Sequence, residues 1–422
     1  MKAVILAAGK GTRLRPLTDN TPKPMLPVAG KPLLEWMIER VREAEIGEVL
    51  IVTNYLEDQI KDFFKDGKGF GVDISYRTQQ EALGTANAIY EAMEWVGENS
   101  FLSLYGDHYL EEGTLAKLIK AHEEKEATVA SIRVDDPSQY GAFGIDGEKI
   151  TRVVEKPSKG KAPSNYANVG IYVFPPEVFW HIEETPKSPR GEYEITDTMQ
   201  RMIDAGLTLR KYELEKNDWL DIGLPWNLLE ANEWAMKNLE KKIEGEVEKG
   251  VQINGPIWLK KEAILRSGTY VEGPAVIGEG SDIGPNCHIR ACTNLGKNVR
   301  IGNACEVKNS IIMDNTHAAH LSYIGDSIVG KNCNLGAGTI TANLRFDKTP
   351  IELNIKGKRM SSGRKKLGLI MGDGSQTGVN VSFHPGVIVG SGAWIAPGLT
   401  IQRDVDPNII KYFFVEHEER RR

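Results

Sequence analysis

The chain has few cysteines, no long apolar run and no excess of positive charge. Its 422 residues include four cysteines, Cys287, Cys292, Cys305 and Cys333. None stands in C-x-x-C spacing and all lie in the second half, so neither a structural zinc site nor a disulfide framework is expected. They read as buried free thiols of a protein in a reducing, cytoplasmic compartment. No apolar run nears the ~20 residues that cross a bilayer. Met1 and Lys2 lead straight into the apolar residues 3–6 with no charged-then-apolar leader, so no membrane contact is expected. Lysine and arginine number 52 against 58 aspartates and glutamates, a net charge of −6. That balance excludes a general nucleic-acid-binding surface. The length leaves room for two or three domains, each with a full core.

What is present begins with an alternation. Up to residue 225, strand-like and helix-like segments take turns, the pattern of an α/β domain with a mostly parallel sheet. The buried-strand pattern of residues 3–6 runs into Leu6-Ala7-Ala8-Gly9-Lys10-Gly11-Thr12-Arg13-Leu14-Arg15-Pro16-Leu17, followed by Thr21-Pro22-Lys23-Pro24. Glycines two apart let the backbone fold so that amide N–H groups converge on an anion. Arg13 and Lys23 add cations, and a guanidinium grips phosphate oxygens in a fork. A nucleoside triphosphate is the ligand this predicts. The loop is not a Walker loop, because no Gly-Lys-Ser/Thr closes it. Pro32 opens a helix with Leu33, Leu34, Met37, Ile38 and Val41 on one stripe, residues 49–52 form another strand, and Ile60, Phe63 and Phe64 suit a second helix. In such folds ligands gather at the carboxyl ends of the strands. There stand Gln-Gln-Glu-Ala-Leu-Gly-Thr-Ala at 79–86, a strand ending in Gly106-Asp107, and a second ending in Asp221 before Gly223. Strand-terminal carboxylates hold Mg²⁺ against substrate phosphates, although aspartate is also an ordinary turn residue.

The ordered string Gly-x-Gly-Thr-Arg-Leu-x-Pro plus Pro-Lys-Pro resembles the signature of the sugar-1-phosphate nucleotidylyltransferases. The resemblance implies a Rossmann-like nucleotidyltransferase domain. It places Leu6, Ala7, Ala8, Gly9, Gly11, Thr12, Gln79, Gly84 and Thr85 around the nucleotide, with Gln79 reading the base and Gly84 letting backbone approach it. Asp107 and Asp221 would be the metal pair, and Arg13 and Lys23 the catalytic cations. Four further motifs match in family order, placing Gly141, Glu155, Lys156, Asn168 and Thr196 on the sugar phosphate. Asparagine stands at the second metal position in the bacterial bifunctional uridylyltransferases; thymidylyltransferases acting on glucose 1-phosphate have aspartate, as here.

In the second half the period changes. Stepping by six from Ile253 gives Leu259, Leu265, Val271, Ile277, Ile283, Ile289, Leu295, Ile301 and Val307, all aliphatic. Ten such stops arise by chance about once in a thousand if roughly half of residues are apolar. A later run gives Met371, Thr377, Phe383, Val389, Ile395 and Ile401. A six-residue beat of short strand and tight turn is the signature of a hexapeptide β-helix; periods of 3.6 or 2 fit it poorly. The frame shifts near 313, which predicts an inserted loop over 315–320 carrying His317 and His320. Residues 344–370 break the beat with a basic cluster, Lys356, Lys358, Arg359, Arg364, Lys365 and Lys366, read either as a contact for coenzyme A phosphates or as a solvated hairpin.

The stretches 320–326 and 334–343 resemble the acetyltransferase half of the bacterial bifunctional uridylyltransferase/acetyltransferases, whose prism is a left-handed parallel β-helix. That resemblance implies His320 as base, Glu306 as the carboxylate that orients it, and Arg290 and Lys308 on the sugar phosphate. It puts Tyr323, Asn334 and Asn343 around the sugar and Ala337 at the acetyl-CoA thioester. Imidazole titrates near neutrality and suits the role of base, and the backbone of the turn 336–338 is expected to receive the oxyanion.

The expected organisation is a nucleotidyltransferase domain over 1–225, a helical linker over 226–249, a β-helix over 250–403 and a charged tail over 404–422. The expected activity acetylates glucosamine 1-phosphate with acetyl-CoA and couples the product to UTP with Mg²⁺, in a homotrimer. Residues 21–27 and Asp221 keep dTTP with glucose 1-phosphate open. Two further rivals are a mannose-1-phosphate guanylyltransferase with an oligomerising β-helix and a non-catalytic scaffold.

Overall fold

The protein is described here by a computed structural model covering residues 1–413. Its contacts divide into two units. One comprises Met1–Lys10, Thr21–Met25 and Pro32–Ile222; the other comprises Gly11–Asn20, Leu26–Lys31 and the chain from Gly223 onward.

The first unit is built on a nine-stranded sheet. Its order is Asp73–Thr78, Glu48–Thr53, Lys2–Ala7, Phe101–Tyr105, Tyr166–Phe174, Ala127–Arg133, Leu209–Glu213, Lys149–Glu155, Gly141–Asp146. The first four strands are parallel. From Tyr166–Phe174 onward antiparallel pairs enter, so the sheet is mixed rather than mostly parallel. The central strands are buried on both faces, as continuous aliphatic runs require. The helix Leu33–Glu43 turns Leu33, Leu34, Met37, Ile38 and Val41 inward, the stripe its spacing predicts. In the next helix, Glu57–Phe64, Ile60 and Phe64 are buried while Phe63 stays exposed.

The second unit is a left-handed parallel β-helix. Three parallel sheets of eight, nine and eight short strands stack into a prism. Every aliphatic stop from Leu259 to Val307 is fully buried, each contributing about 1.5–3 kcal/mol by leaving water. Ile264 pairs with Asp282 and Asp282 with Arg300, a coil of 18 residues. Arg300 then pairs with His317, a coil of 17.

That shorter coil corrects the expected loop. Nothing is inserted at 315–320: one residue is lost at the corner before Ile312, and Ala318 takes the inward stop. His317–His320 is therefore a strand of the second face, paired on both sides. The linker is corrected as well. The helix Pro225–Ala235 ends early, and Lys242–Ile243 and Glu246–Val247 already pair with the prism strands Ile257–Leu259 and Ile264–Leu265. The charged run there is the prism's first coil, exposed because no coil lies below it. At the other end Ile410–Lys411 pairs with Trp394–Ile395, so the stack continues past residue 403; the rest of the expected tail, 414–422, lies outside the described residues. The interruption at 344–370 folds as an antiparallel hairpin, Glu352–Ile355 with Lys358–Ser361.

All four cysteines are free, Cys292 half-buried and the others buried. Among the described residues no helix is long and apolar enough to cross a membrane.

Candidate active sites

In the first unit the parallel strands deliver three motifs to one end of the sheet. Ala7 lies beside Thr53, and Thr53 beside Thr78, the residue before Gln79. Leu6 lies beside Tyr105, and the Gly106 N–H donates to the Leu6 carbonyl at 2.9 Å. The Ala8-Gly9 turn, Gln79 and Gly106-Asp107 thus leave neighbouring strand ends, the location the fold class dictates for ligands. A Cβ on Gly9 would meet nothing within 4 Å, so this backbone faces open space.

Asp221 pairs in register with His108, which puts it next to Asp107. The buried Lys23 ammonium forms an ion pair with the Asp107 carboxylate. His108, buried between them, has its pKa lowered by desolvation, while Asp107 and Asp221 push it up. Its Nε2 lies 3.6 Å from Asp107. Two hard carboxylates with no thiol beside them fit Mg²⁺ rather than a softer ion. Among the described residues no group of three or more His, Cys, Asp or Glu is arranged for a metal. A cation held here would complete its shell with phosphate oxygens and water.

Gln79 is 3 % exposed and its amide N–H₂ donates to the Gly84 carbonyl at 3.1 Å and to Asn87 at 2.7 Å. Gly84 meets a need within the chain. At φ +115° its Cβ would run into the Tyr193 backbone, and residues 83–86 are stitched to 193–195 by Tyr193 N–H to Leu83, Ala86 N–H to Tyr193 and Ile195 N–H to Thr85 Oγ1.

The sugar-side residues converge. Gly141 and Glu155 are register partners, and a Cβ on Gly141 would touch Thr196, Asn168 and Glu155. Glu155 accepts from Thr196 Oγ1 at 3.1 Å and pairs with Lys156 at 3.4 Å, so Lys156 neutralises this carboxylate here. Asn168 donates to the Tyr172 hydroxyl at 2.8 Å. Sequence reasoning missed Arg190, which bridges Glu155 at 3.0 Å and Glu194 at 2.5 Å. Its position just before the Tyr193–Asp197 motif was the available signal. Asp197, in the same group, has its pKa raised by burial and by Glu194 and Glu155. His108 was missed too, although it directly follows Asp107.

Arg13 and Gly11 belong to the second unit. Gly11 takes a left-handed φ of 59° and caps the turn Thr12–Leu14, from which Arg13 extends into solvent.

On the prism, one face carries a ladder of charge. Arg290 pairs with Glu306 at 2.9 Å and approaches Glu272 at 3.8 Å. Lys308 pairs with Asp326 at 2.9 Å, and Asp326, 2 % exposed, also accepts from Asn343 and Asn309. Asn343 donates to the Tyr323 hydroxyl at 3.0 Å. Arg290, Lys308, Tyr323 and Asn343 are thereby brought together as expected. The Glu306 carboxylate pairs with Arg290 on its own face, and His320 ends a strand of the neighbouring face. His320 is exposed, and its carbonyl accepts from Gly338 N–H at 3.2 Å, which stacks the 336–338 turn directly over it. Asn334 lies one coil above His317. Of the turn's amides, Gly336 donates to Thr377 and Gly338 to His320. Among the described residues the Ala337 N–H is the one amide of this turn without a backbone acceptor.

With this geometry in view, the likeness to known proteins is specific. A family model described as nucleotidyl transferase matches residues 2–238, and one described as GMPPB C-terminal domain matches residues 271–410. The chain is 43% identical over 417 residues to the bifunctional protein GlmU of Methanocaldococcus jannaschii, covering 98% of this chain and 97% of that one. It is 39% identical over 415 residues to the bifunctional sugar-1-phosphate nucleotidylyltransferase/acetyltransferase of Sulfurisphaera tokodaii, covering 96% and 98%. The chain belongs to this bifunctional nucleotidylyltransferase/acetyltransferase family. A solved structure described as a putative glucose-1-phosphate thymidylyltransferase from Bacillus anthracis is 32% identical, with a TM-score of 0.52 over 57% of this chain and 98% of that one. As a member of the family the protein is an enzyme, with a nucleotidyltransferase half and an acetyltransferase half.

Proposed function

We propose that the enzyme acetylates glucosamine 1-phosphate with acetyl-CoA and couples N-acetylglucosamine 1-phosphate to UTP, releasing pyrophosphate. The observation that carries this reading is the pairing of two differently equipped constellations in one chain. One holds Asp107 and Asp221 at strand ends with Lys23 paired to Asp107; the other holds Arg290, Lys308, Tyr323 and Asn343 on a prism face with His320 on the adjoining edge.

In the first reaction a sugar phosphate oxygen attacks the α-phosphorus while the bond to the β-phosphate breaks. Mg²⁺ held by Asp107 and Asp221 would supply charge neutralisation for the phosphates. Lys23 and Arg13 hold the anions, and positioning with electrostatics carries the catalysis. No nucleotidyl-enzyme intermediate forms. In the second reaction the amine attacks the thioester carbonyl, its proton passes to His320, and the C–S bond breaks to release the thiol. Large apolar side chains left exposed beside His320, Leu321 at 61 % and Ile340 at 39 %, support a homotrimer in which neighbouring prisms cover them. Acetyl-CoA and nucleotide substrates fit work in the cytoplasm.

A substrate matrix tests the reading. Each nucleotide and sugar phosphate is scored for pyrophosphate release, and each amino-sugar phosphate for thiol release from acetyl-CoA. Absence of thiol release with every amino-sugar phosphate would sink the acetyltransferase assignment. Asp221 and the 32% identity to the putative thymidylyltransferase favour dTTP with glucose 1-phosphate as the second reading of the first half, and the same matrix decides it.

A further inference from the structure

The basic cluster 356–366 does not act as one patch. Arg364 is bound to Glu233 of the helix Pro225–Ala235. Arg359 leans toward Glu352 at 3.6 Å. Lys356 instead stands at the tip of the hairpin, in a pocket of about 360 Å³ lined by Thr12, Arg13, Arg15, Asn354, Ile355 and Lys356. All of these residues belong to the second unit.

Three features mark this pocket as built for an anion. Its charged lining is one-signed: Arg13, Arg15 and Lys356, with no carboxylate among the lining residues. Arg15 has Asp19 at 3.3 Å, but among the described residues neither Arg13 nor Lys356 has an ion-pair partner. Cations converging without a counter-ion repel, an arrangement that an incoming polyanion relieves. The hairpin is also stiffly aimed. Ile355 pairs with Lys358, leaving Lys356-Gly357 as a two-residue turn with φ of 51° and 77°. Such turns are the province of Asn-Gly and Gly-Gly, because a side chain with a Cβ is strained at positive φ. A lysine at the strained position breaks the local rule, and that kind of breach collects at functional sites. Finally, Ile351, Leu353 and Ile355 bury one face of the hairpin, so the tip is held rather than free.

We infer that the hairpin of the acetyltransferase half supplies Lys356 to a phosphate-binding pocket shared with Arg13 and Arg15, and that its ligand is a polyphosphate. The inference deepens the proposed nucleotidyl transfer, in which Arg13 meets the triphosphate. The β- and γ-phosphates of the nucleotide and the pyrophosphate that leaves share this chemistry.

The full-length chain and its Lys356→Glu, Lys356→Ala and Lys356→Arg variants test it. Calorimetric titration with inorganic pyrophosphate alone, and with nucleoside triphosphate alone, separates the two sources. Loss of one charge-assisted contact weakens binding about tenfold or more. Lys356→Glu should therefore raise the dissociation constant for at least one of the two by that factor, Lys356→Ala by less, and Lys356→Arg should restore it. The KM for nucleotide should follow the triphosphate titration while thiol release from acetyl-CoA stays unchanged. Unaltered binding of both anions in Lys356→Glu overturns the inference. So does an equal loss of thiol release, or a changed KM for acetyl-CoA, which would return the hairpin to a structural or coenzyme role. A wild type that releases no pyrophosphate from any nucleotide would defeat the proposed reaction, while the titration would still judge the pocket.

Discussion

The two halves assemble their charged clusters in opposite ways. In the α/β unit the partners come from far apart: Lys23 and Asp107 are separated by 84 positions and meet only because the sheet sends their loops to one end. On the prism the partners are a coil apart, Arg290 with Glu306 at a separation of 16 and Lys308 with Asp326 at 18. A sheet with crossovers gathers its site by topology, whereas a solenoid gathers it by stacking. The first arrangement concentrates charge in one place. The second spreads it along a ladder, where each rung can be altered without moving the next.

The comparison breaks most visibly through Asp107. Asp107→Ala is expected to lower pyrophosphate release by at least about 10²–10³-fold, the scale of losing a preorganised electrostatic contact, while thiol release is unchanged. The same change leaves the buried Lys23 ammonium without its partner, so thermal unfolding should show a destabilised first unit beside an intact prism. His320→Ala is the mirror image, with thiol release down about 10²–10⁴-fold and pyrophosphate release preserved. If either variant, folded and of native size, loses both activities, the division between the halves fails.

Smaller changes sharpen it. Ile289→Ala removes a fully buried stop and should cost about 2–5 kcal/mol by denaturant unfolding, an effect confined to the prism because each coil rests on its neighbours. His108 gives the α/β unit a pH signature. Burial depresses its folded pKa, so the unfolded chain takes up the proton first. The first unit's stability is then full above the unfolded value near 6.5 and declines as pH falls through the folded value. His108→Gln should flatten that slope in unfolding curves measured across this range. The smallest effect concerns Glu306. Because it holds Arg290, Glu306→Gln should shift the KM for the amino-sugar phosphate and leave kcat and its pH profile nearly unchanged. A large fall in kcat with a displaced profile would restore Glu306 as the group that orients the base.

Legibility followed the same divide. The prism's inward stops were readable one by one, because burial there depends on position within a short repeat. The direction of the frame slip was not: a lost residue and an added loop disturb the pattern alike until Ala318, too small to register as an aliphatic stop, is accepted as one. In the α/β unit the Gly-rich turn and both aspartates were visible as apolar runs ending in chemistry. Their neighbours Arg190 and His108 were passed over: each adjoins a recognised motif in sequence, but its contacts with distant residues appear only in the folded sheet. Gly84 was legible as a position of close approach, and its missing Cβ leaves room for the backbone of residue 193. The linker was overextended because a charged first coil, with no coil beneath it, is written in the same residues as a solvated helix.

The hairpin at 352–361 interrupts the chain but not the ladder: Val329 pairs directly with Met371 across the excursion. The stacking on either side closes as though the intervening segment were absent. A solenoid can thus grow a finger at any corner and lengthen, recharge or discard it while its own hydrogen bonding stays whole. Such appendages are free to evolve at the pace of the ligands they touch, on a frame that changes far more slowly.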